Sequence, residues 1–144
     1  MTSIEIDFVP IDSMEFKDAF AIRYNELYKD KNLPTSAALD GYDEKSLHCV
    51  AKLNGKVVGY GRLNPEDGRI AQMAVEKQFQ HQGIGKQIVQ ALMDKGKELK
   101  LPTLFLLART GVQTFYERFG FYPVGKTFIS PRTKIPHIRM KVDI

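Results

Sequence analysis

The segment that determines the fold reads Gln80-His81-Gln82-Gly83-Ile84-Gly85-Lys86. A short apolar run at residues 70–75 precedes it, and an amphipathic stretch follows it. The apolar residues of that stretch recur at the spacing of one helix face: Ile84, Ile88, Val89, Leu92 and Met93. The two glycines therefore lie at the point where a strand is followed by a helix.

This position is suited to binding phosphate. The first N–H groups of a helix have no partner inside it, and the aligned peptide dipoles leave partial positive charge there. Gly83 and Gly85 have no Cβ, so a phosphate could approach the backbone closely. Lys86 lies in the first turn, where the dipole favours an acidic residue, and a bound polyanion would explain it. The alternative, that the glycines only form a tight strand-to-helix turn, stays open on this segment alone.

Two familiar phosphate motifs do not fit the segment. The sequence has no G-x-x-x-x-G-K-[ST], and G-x-G-x-x-G fails because Ile88 occupies the place of the third glycine. The segment does resemble the Gln-x-x-Gly-x-Gly signature of the GCN5-related N-acetyltransferases, the GNAT family, with Gln80, Gly83 and Gly85 in its three places.

Other stretches extend this resemblance. Residues 115–121, Phe-Tyr-Glu-Arg-Phe-Gly-Phe, are similar to the family's F-Y-x-x-x-G-F element. His48-x-Val50-Ala51, Gly61-Arg62-Leu63 and Pro136-His137-Ile138-Arg139-Met140 resemble one branch of small bacterial-type members. Arg109 departs from the pattern, because many relatives have Asn or Gln in its place. The chain is identified on these residues as a member of the GNAT family.

Length and composition indicate an ordinary globular protein. The 144 residues predict one domain, 1–144, that is long enough to bury a core. The net charge of +4 is mild, and Lys and Arg are scattered among acids, which argues against a nucleic-acid partner. No apolar run reaches the roughly 18 residues of a membrane span, and the N-terminus does not read as a signal peptide. Cys49 is the single cysteine, so we expect no intrachain disulfide and a cytoplasmic location.

The order of elements predicts an α/β fold with a mixed sheet. The sequence favours strands at 3–9, 48–53, 56–63, 69–75, 103–108, 121–129 and 135–142, and helices at 12–28, 83–99 and 111–119. Asp12 and Glu15 are spaced as a capping box, and Asn54-Gly55 predicts a tight hairpin. Residues 32–46 read as a loop with room for a helical turn. Strand 103–108 is apolar throughout, as expected for a buried central strand. The order β-α-β-β-β-α-β-α-β-β is also that of the GNAT acyl-CoA N-acyltransferase fold.

The resemblance implies a cofactor site and a reaction. It implies that acetyl-CoA is the co-substrate and that an acetyl group passes directly to a primary amine of a small molecule or peptide in a ternary complex. The pantetheine arm would enter between strands 69–75 and 103–108 and pair with the backbone of that first strand. The residues implied to bind coenzyme A are Met73, Ala74, Val75, Gln80, His81, Gln82, Gly83, Ile84, Gly85 and Lys86. The region 29–46 would shape the acceptor site.

Tyr116 matches the family tyrosine that donates a proton to the departing thiolate. A phenol with a pKa near 10 suits that task, although helix spacing alone also fits a core tyrosine. The general base is not assigned: His48, His137 or a chain of waters could serve. Cys49 is expected in the core and not as a nucleophile. No Cys/His cluster has zinc spacing, so we expect no metal site.

Two other functions stay open at this stage. A non-catalytic acyl-CoA-binding sensor could share the fold, although Tyr116 and the glycine segment favour the enzyme. A small basic nucleic-acid module is not supported by any aromatic and basic platform. The protein is expected to be a monomer or a homodimer that does not act at a membrane.

Overall fold

The computed structural model describes residues 3–144, which form one seven-stranded mixed sheet with helices on its faces. The strands are β1 Ile4–Val9, β2 Leu47–Leu53, β3 Lys56–Asn64, β4 Arg69–Val75, β5 Thr103–Arg109, β6 Tyr122–Ile129 and β7 Pro136–Asp143. The helices are α1 Met14–Leu27, α2 Ile84–Glu98 and α3 Gln113–Glu117. Their spatial order in the sheet is β1-β2-β3-β4-β5-β7-β6. The predicted α/β class and the predicted order of elements are both confirmed.

Helices α1 and α2 pack on opposite faces of the sheet. The predicted apolar face of α2 is buried in a core that includes Leu104, Leu106 and Met140. Helix α1 packs instead on the other face, on β2, β3 and β4, where Tyr60 and Ala74 are buried. Because side chains alternate along a strand, Phe105, Leu107 and Arg109 of β5 and His137 of β7 lie on the face opposite α2.

Two local sequence signals predicted where elements end: the one for the hairpin turn was correct, and the one for the helix cap was not. Asn54 and Gly55 have φ of 52° and 80°, which is the type I′ geometry expected for the predicted hairpin. The predicted capping box of Asp12 and Glu15 is wrong. Ser13 is the N-cap of α1, and its Oγ accepts a hydrogen bond from the N–H of Phe16 at 3.1 Å.

One further prediction needs correction, and the structure adds detail to another. Helix α3 has only 5 residues, where the sequence predicted nine, because the turns that flank it tighten at both ends. The loop predicted at residues 32–46 contains two short 3₁₀ segments, Thr35–Ala38 and Asp43–Lys45, and a third one, Lys29–Lys31, directly follows α1. Among the helices of residues 3–144, none combines the length and the apolarity that a membrane crossing requires.

Candidate active site

The site is organised around a gap between β4 and β5. These two strands run parallel, and within the described residues their register contains the single pair Arg69 and Phe105. The Phe105 N–H donates to Gly68 O at 3.0 Å at this closed end. Beyond it the strands part, although β3 stays paired with β4 and β7 with β5. The facing backbone edges of β4 and β5 are therefore left without a neighbouring strand.

A cleft of about 950 Å³ opens at this gap. It is lined by β4, the segment before α2, part of α3, the connection from α1 to β2, and the loop between β6 and β7. The predicted residues that line it are Met73, Ala74, Val75, Gln80, His81, Gly83, Ile84, Gly85, Lys86 and Tyr116. Gln82 does not line the cleft, and its side chain is exposed. The odd-numbered residues of β5 are only half-buried, contrary to the burial predicted for this strand, and two of them, Leu107 and Arg109, line the cleft.

At the N-terminus of α2, backbone N–H groups without an acceptor face the cleft. Gly83 has φ of 84° and caps the helix without a side-chain hydrogen bond. The consecutive N–H groups of residues 81–86 donate to no acceptor in the described part of the chain. No acidic residue lies in the first turn of α2, and no atom lies within 4 Å of a methyl group placed on Gly83. This arrangement has the donors, the dipole and the room that a pyrophosphate needs.

Gln80 ties this segment to the rest of the protein. Its Nε2 donates to the backbone oxygen of Val75 at 2.8 Å and to Oε1 of Glu26 at 3.2 Å. The other carboxylate oxygen of Glu26 accepts from the N–H of Lys77 at 3.1 Å. The Gln80 side chain therefore fixes the segment to the end of β4 and to α1. Gln80 contributes to a binding site as a residue that lines the cleft.

A bulge in β4 was not foreseen from the sequence. Gln72 has φ of 59°, and the register between β3 and β4 shifts at this point. The Gln72 side chain accepts from the hydroxyl of Tyr28 at 3.0 Å and donates to Oδ2 of Asp40 at 3.1 Å. A bulge turns the backbone of the bulged strand, so it changes where the following residues direct their N–H and C=O groups. Nothing local in the sequence indicates a positive φ at a glutamine.

A buried ionic network holds the connection from α1 to β2 in place. Arg62 is 1% exposed and donates to both carboxylate oxygens of Asp40 and to Oδ1 of Asp43 at 2.8 Å. Arg23 is 0% exposed and also donates to Asp43, at 2.8 and 3.1 Å. Burial alone would raise the pKa of Asp40, but its hydrogen bonds with Arg62 and the charge of Arg62 lower it to about 2. Asp40 thus lines the cleft as an ion-paired carboxylate and not as a free one.

The structure distinguishes the two histidines that the sequence left as candidates for the general base. His48 is buried, with Nδ1 2.6 Å from the Tyr60 hydroxyl and Nε2 2.8 Å from Asp43 O, and burial lowers its pKa. It does not line the cleft. His137 does line it, with Nδ1 2.8 Å from Ile135 O. Cys49 lies in the core as expected, where burial raises the pKa of its thiol to about 12.

Tyr116 lies in the lining of the cleft beside α2. Its ring packs edge-on against Phe115 at 4.9 Å between centroids, and against Phe121 at 6.0 Å. Its hydroxyl forms no hydrogen bond within residues 3–144. Burial raises the pKa of Tyr116 to about 12, against the opposing charge of Arg109. The phenol is therefore fully protonated at neutral pH.

The described residues contain no group of three or more His, Cys, Asp and Glu side chains that could hold a metal ion.

Comparisons with known proteins agree with this geometry. Residues 24–144 match the family described as the acetyltransferase (GNAT) domain. The chain is 30% identical to a Bacillus subtilis protein named as an uncharacterized N-acetyltransferase, YjcF, over 90% of this chain and 93% of that one. Two solved structures share the fold. An acyl-CoA N-acyltransferase from Pseudomonas aeruginosa has a TM-score of 0.82, with 21% identity over 98% of this chain and 99% of that chain. A GNAT family acetyltransferase from Elizabethkingia anophelis with acetyl-CoA bound has a TM-score of 0.71, with 18% identity over 98% of each chain.

Proposed function

The chain belongs to the GNAT family of acetyltransferases, and we propose from that premise that it transfers the acetyl group of acetyl-CoA directly to a primary amine of a small molecule or peptide. The observation that carries the proposal is the continuity of one cleft. It connects the unpaired N–H groups at residues 81–86, the parted edges of β4 and β5, and the chamber beside residues 28–42.

Different groups of the chain bind different parts of acetyl-CoA. The N–H groups of residues 81–86 bind the pyrophosphate, and Lys86 adds a positive charge. The backbone of Met73, Ala74 and Val75 faces the gap, and it binds the pantetheine amides in the manner of an added strand. An N–H group of the same stretch is placed to stabilise the oxyanion that forms when the thioester carbonyl is attacked.

The chemical step is a direct displacement. The amine nitrogen donates its lone pair to the thioester carbonyl carbon, so that a C–N bond forms and the C–S bond breaks. The sulfur leaves with the electron pair of the broken bond and takes the proton of the Tyr116 hydroxyl. The nitrogen loses one proton to solvent, and Tyr116 regains its proton from solvent. The products are the acetamide and the free thiol of coenzyme A.

The raised pKa of Tyr116 bears on its role. A phenol with a pKa of about 12 keeps its proton until negative charge has built up on the sulfur. It is also a weaker acid than an exposed phenol, so its contribution should be moderate. General acid catalysis by one side chain is typically worth about 100- to 10,000-fold, and we expect the lower half of that range or less here.

Tyr116→Phe tests this role. We expect kcat to fall by about one to three orders of magnitude while the affinity for coenzyme A stays nearly unchanged, because phenylalanine keeps the ring packing and loses only the proton. The measurements are thiol release from acetyl-CoA with a broad panel of amines, and calorimetry with coenzyme A. Tyr122→Phe is the matched control, because Tyr122 is exposed on β6 and does not line the cleft.

Two outcomes would count against the proposal. An unaltered kcat in Tyr116→Phe would remove Tyr116 from the mechanism. Binding of acetyl-CoA without thiol release for any amine would favour a non-catalytic acyl-CoA sensor over an enzyme.

A further inference from the structure

The far part of the cleft has a cationic floor. Arg69 of β4 lies beside Phe105 of β5, on the strand face opposite α2, because its neighbour Ile70 is buried in the α2 core. Arg109 of β5 and His137 of β7 are register partners on the same face. Arg69, Arg109 and His137 all line the cleft. This chamber is bounded by residues 28–42 on one side and by the loop at residues 130–135 on the other.

The positive charges of this chamber are not neutralised within the chain. Neither Arg69 nor Arg109 has a carboxylate within 4.0 Å in residues 3–144, and Nε of Arg69 is buried without a hydrogen-bond partner. Arg132 donates from one guanidinium nitrogen to the backbone oxygens of Ala37 and Leu39, and these neutral acceptors leave its charge. The one carboxylate in the lining of the described cleft, Asp40, is already paired with Arg62.

Coenzyme A does not account for the charge of Arg69. On the proposed function, its phosphates lie at the mouth of α2, which follows the open end of β4. Arg69 precedes Val75 by six residues, so it lies roughly 20 Å away along the strand, at about 3.3 Å per residue. The thioester end of the cofactor, which would enter the chamber, carries no charge. The charge of Arg69 is thus available to the second substrate, whereas Arg109 lies level with Met73 on the parallel strand, where the pantetheine arm would lie.

Resting on the proposed function, we infer that the acceptor is an amine that also carries a carboxylate or a phosphate group, and that Arg69 binds this anion. A guanidinium presents paired donors that match the geometry of carboxylate and phosphate. Arg69 is half-buried, and its buried Nε–H, which has no partner within residues 3–144, gains one when the anion arrives. Polyamines and aminoglycosides, which bring only positive charge, are repelled by the same floor.

The floor also favours the reactive form of the amine. A nearby positive charge disfavours the ammonium and lowers its pKa, so a larger fraction of the bound amine is neutral. The anionic group of the substrate supplies the attraction that brings this amine into a cationic chamber. The guanidinium of Arg69 is neutralised by the anion that it binds, so this effect depends on Arg109, whose charge stays unpaired within residues 3–144.

Matched pairs of amines test the inference. The pairs are β-alanine and β-alaninamide, O-phosphoethanolamine and ethanolamine, and glycine and glycinamide, with spermidine as a polycation. We expect kcat/KM for thiol release to be about tenfold or more higher for the anionic member of at least one pair, the range expected for a charge-assisted hydrogen bond. The carboxylate pairs and the phosphate pair show which anion is preferred. Equal or faster turnover of the neutral members or of spermidine would overturn the inference and leave the proposed function standing.

Variants assign the effect to residues. Arg69→Gln should lower kcat/KM for the anionic member about tenfold, mainly through KM, with a much smaller change for its neutral partner. Arg69→Lys should recover part of the loss. Lys141→Gln removes a positive charge from the same strand face outside the cleft, and it should change neither value. Equal losses for both members of a pair in Arg69→Gln would refute anion recognition by Arg69.

A binding measurement distinguishes failure of the proposed function from failure of the inference about the anion. Calorimetry with coenzyme A alone, and then with each amine added to the coenzyme A complex, needs no turnover. If no amine releases thiol, the proposed function fails. The inference still stands if the anionic amine binds the complex and this binding is lost in Arg69→Gln, and it falls if anionic and neutral amines bind alike.

Discussion

Asp40 gives the sharpest prediction, because one carboxylate joins the buried network to the β4 bulge. It accepts hydrogen bonds from Arg62 and from Gln72, and Arg62 is 1% exposed. Asp40→Asn keeps the size of the side chain and one acceptor oxygen but removes the negative charge. Asp43 is then the one anionic partner that Arg62 keeps within residues 3–144. We expect a folded protein of lower stability.

The magnitude follows from the pKa of Asp40. Its pKa falls from 3.8 to about 2 on folding. At 1.36 kcal/mol for each pKa unit, this difference corresponds to about 2 kcal/mol of stability at neutral pH. Removing one partner of a fully buried pair costs about 3–5 kcal/mol. We expect the lower value, because Asp43 still faces Arg62 after the substitution.

The pH dependence has a definite sign. Because the folded pKa is below the unfolded pKa, the stabilisation is complete above about pH 4 and is lost as the pH falls to about 2. The variant never has this stabilisation. The free-energy difference between the two proteins should therefore shrink from about 2 kcal/mol at pH 7 to about 1 kcal/mol at pH 3.

Urea denaturation at pH 7 and at pH 3 measures both values. Asp12→Asn is the matched control, because Asp12 is exposed and is not the helix cap; it should stay within about 0.5 kcal/mol of the parent protein. A deficit in Asp40→Asn that is absent at pH 7, or that is undiminished at pH 3, would refute the ion-pair reasoning.

Two further predictions concern the core. Gly61→Ala should lower the free energy of unfolding by about 1–3 kcal/mol, because the added methyl group would lie 2.5 Å from Met73 Sδ and 2.9 Å from Ile88 Cγ2; an unchanged urea midpoint would contradict this. Cys49 should resist alkylation by N-ethylmaleimide in the native protein and react fully in urea, since it is buried with a pKa of about 12; intact mass spectrometry that shows rapid native labelling would contradict this.

The elements that sequence reasoning located well have local signals. The hairpin at Asn54-Gly55 depends on two residues that accept positive φ, and α2 depends on a helical repeat within one segment. The element order and the gap between β4 and β5 follow from the family resemblance together with these signals. The cap of α1 shows the limit of such signals, because Asp12 and Ser13 are both good caps and only the backbone geometry selects Ser13.

The features that were missed depend on contacts between distant parts of the chain. Arg23 meets Asp43, and Arg62 meets Asp40, only because α1 and its connection to β2 fold back over β3. The bulge at Gln72 is held by partners from α1's end and from the same connection. In the sequence these residues read as ordinary polar side chains. Their roles appear only when the sheet places them together.

The positive charge of the chamber reduces the need for a general base, which neither the sequence nor the structure assigns. An amine with a pKa near 10.4 is neutral in only about one molecule in 2,500 at pH 7. Lowering that pKa by one or two units through the unpaired charge of Arg109 raises the neutral fraction about 10- to 100-fold, which at most reaches the lower end of the range that a dedicated base supplies. The remaining proton passes from the nitrogen to solvent, and the positive charge of the chamber lowers the amine pKa without a dedicated base. A chamber built for an anionic amine therefore eases the deprotonation for which the sequence offers no single base.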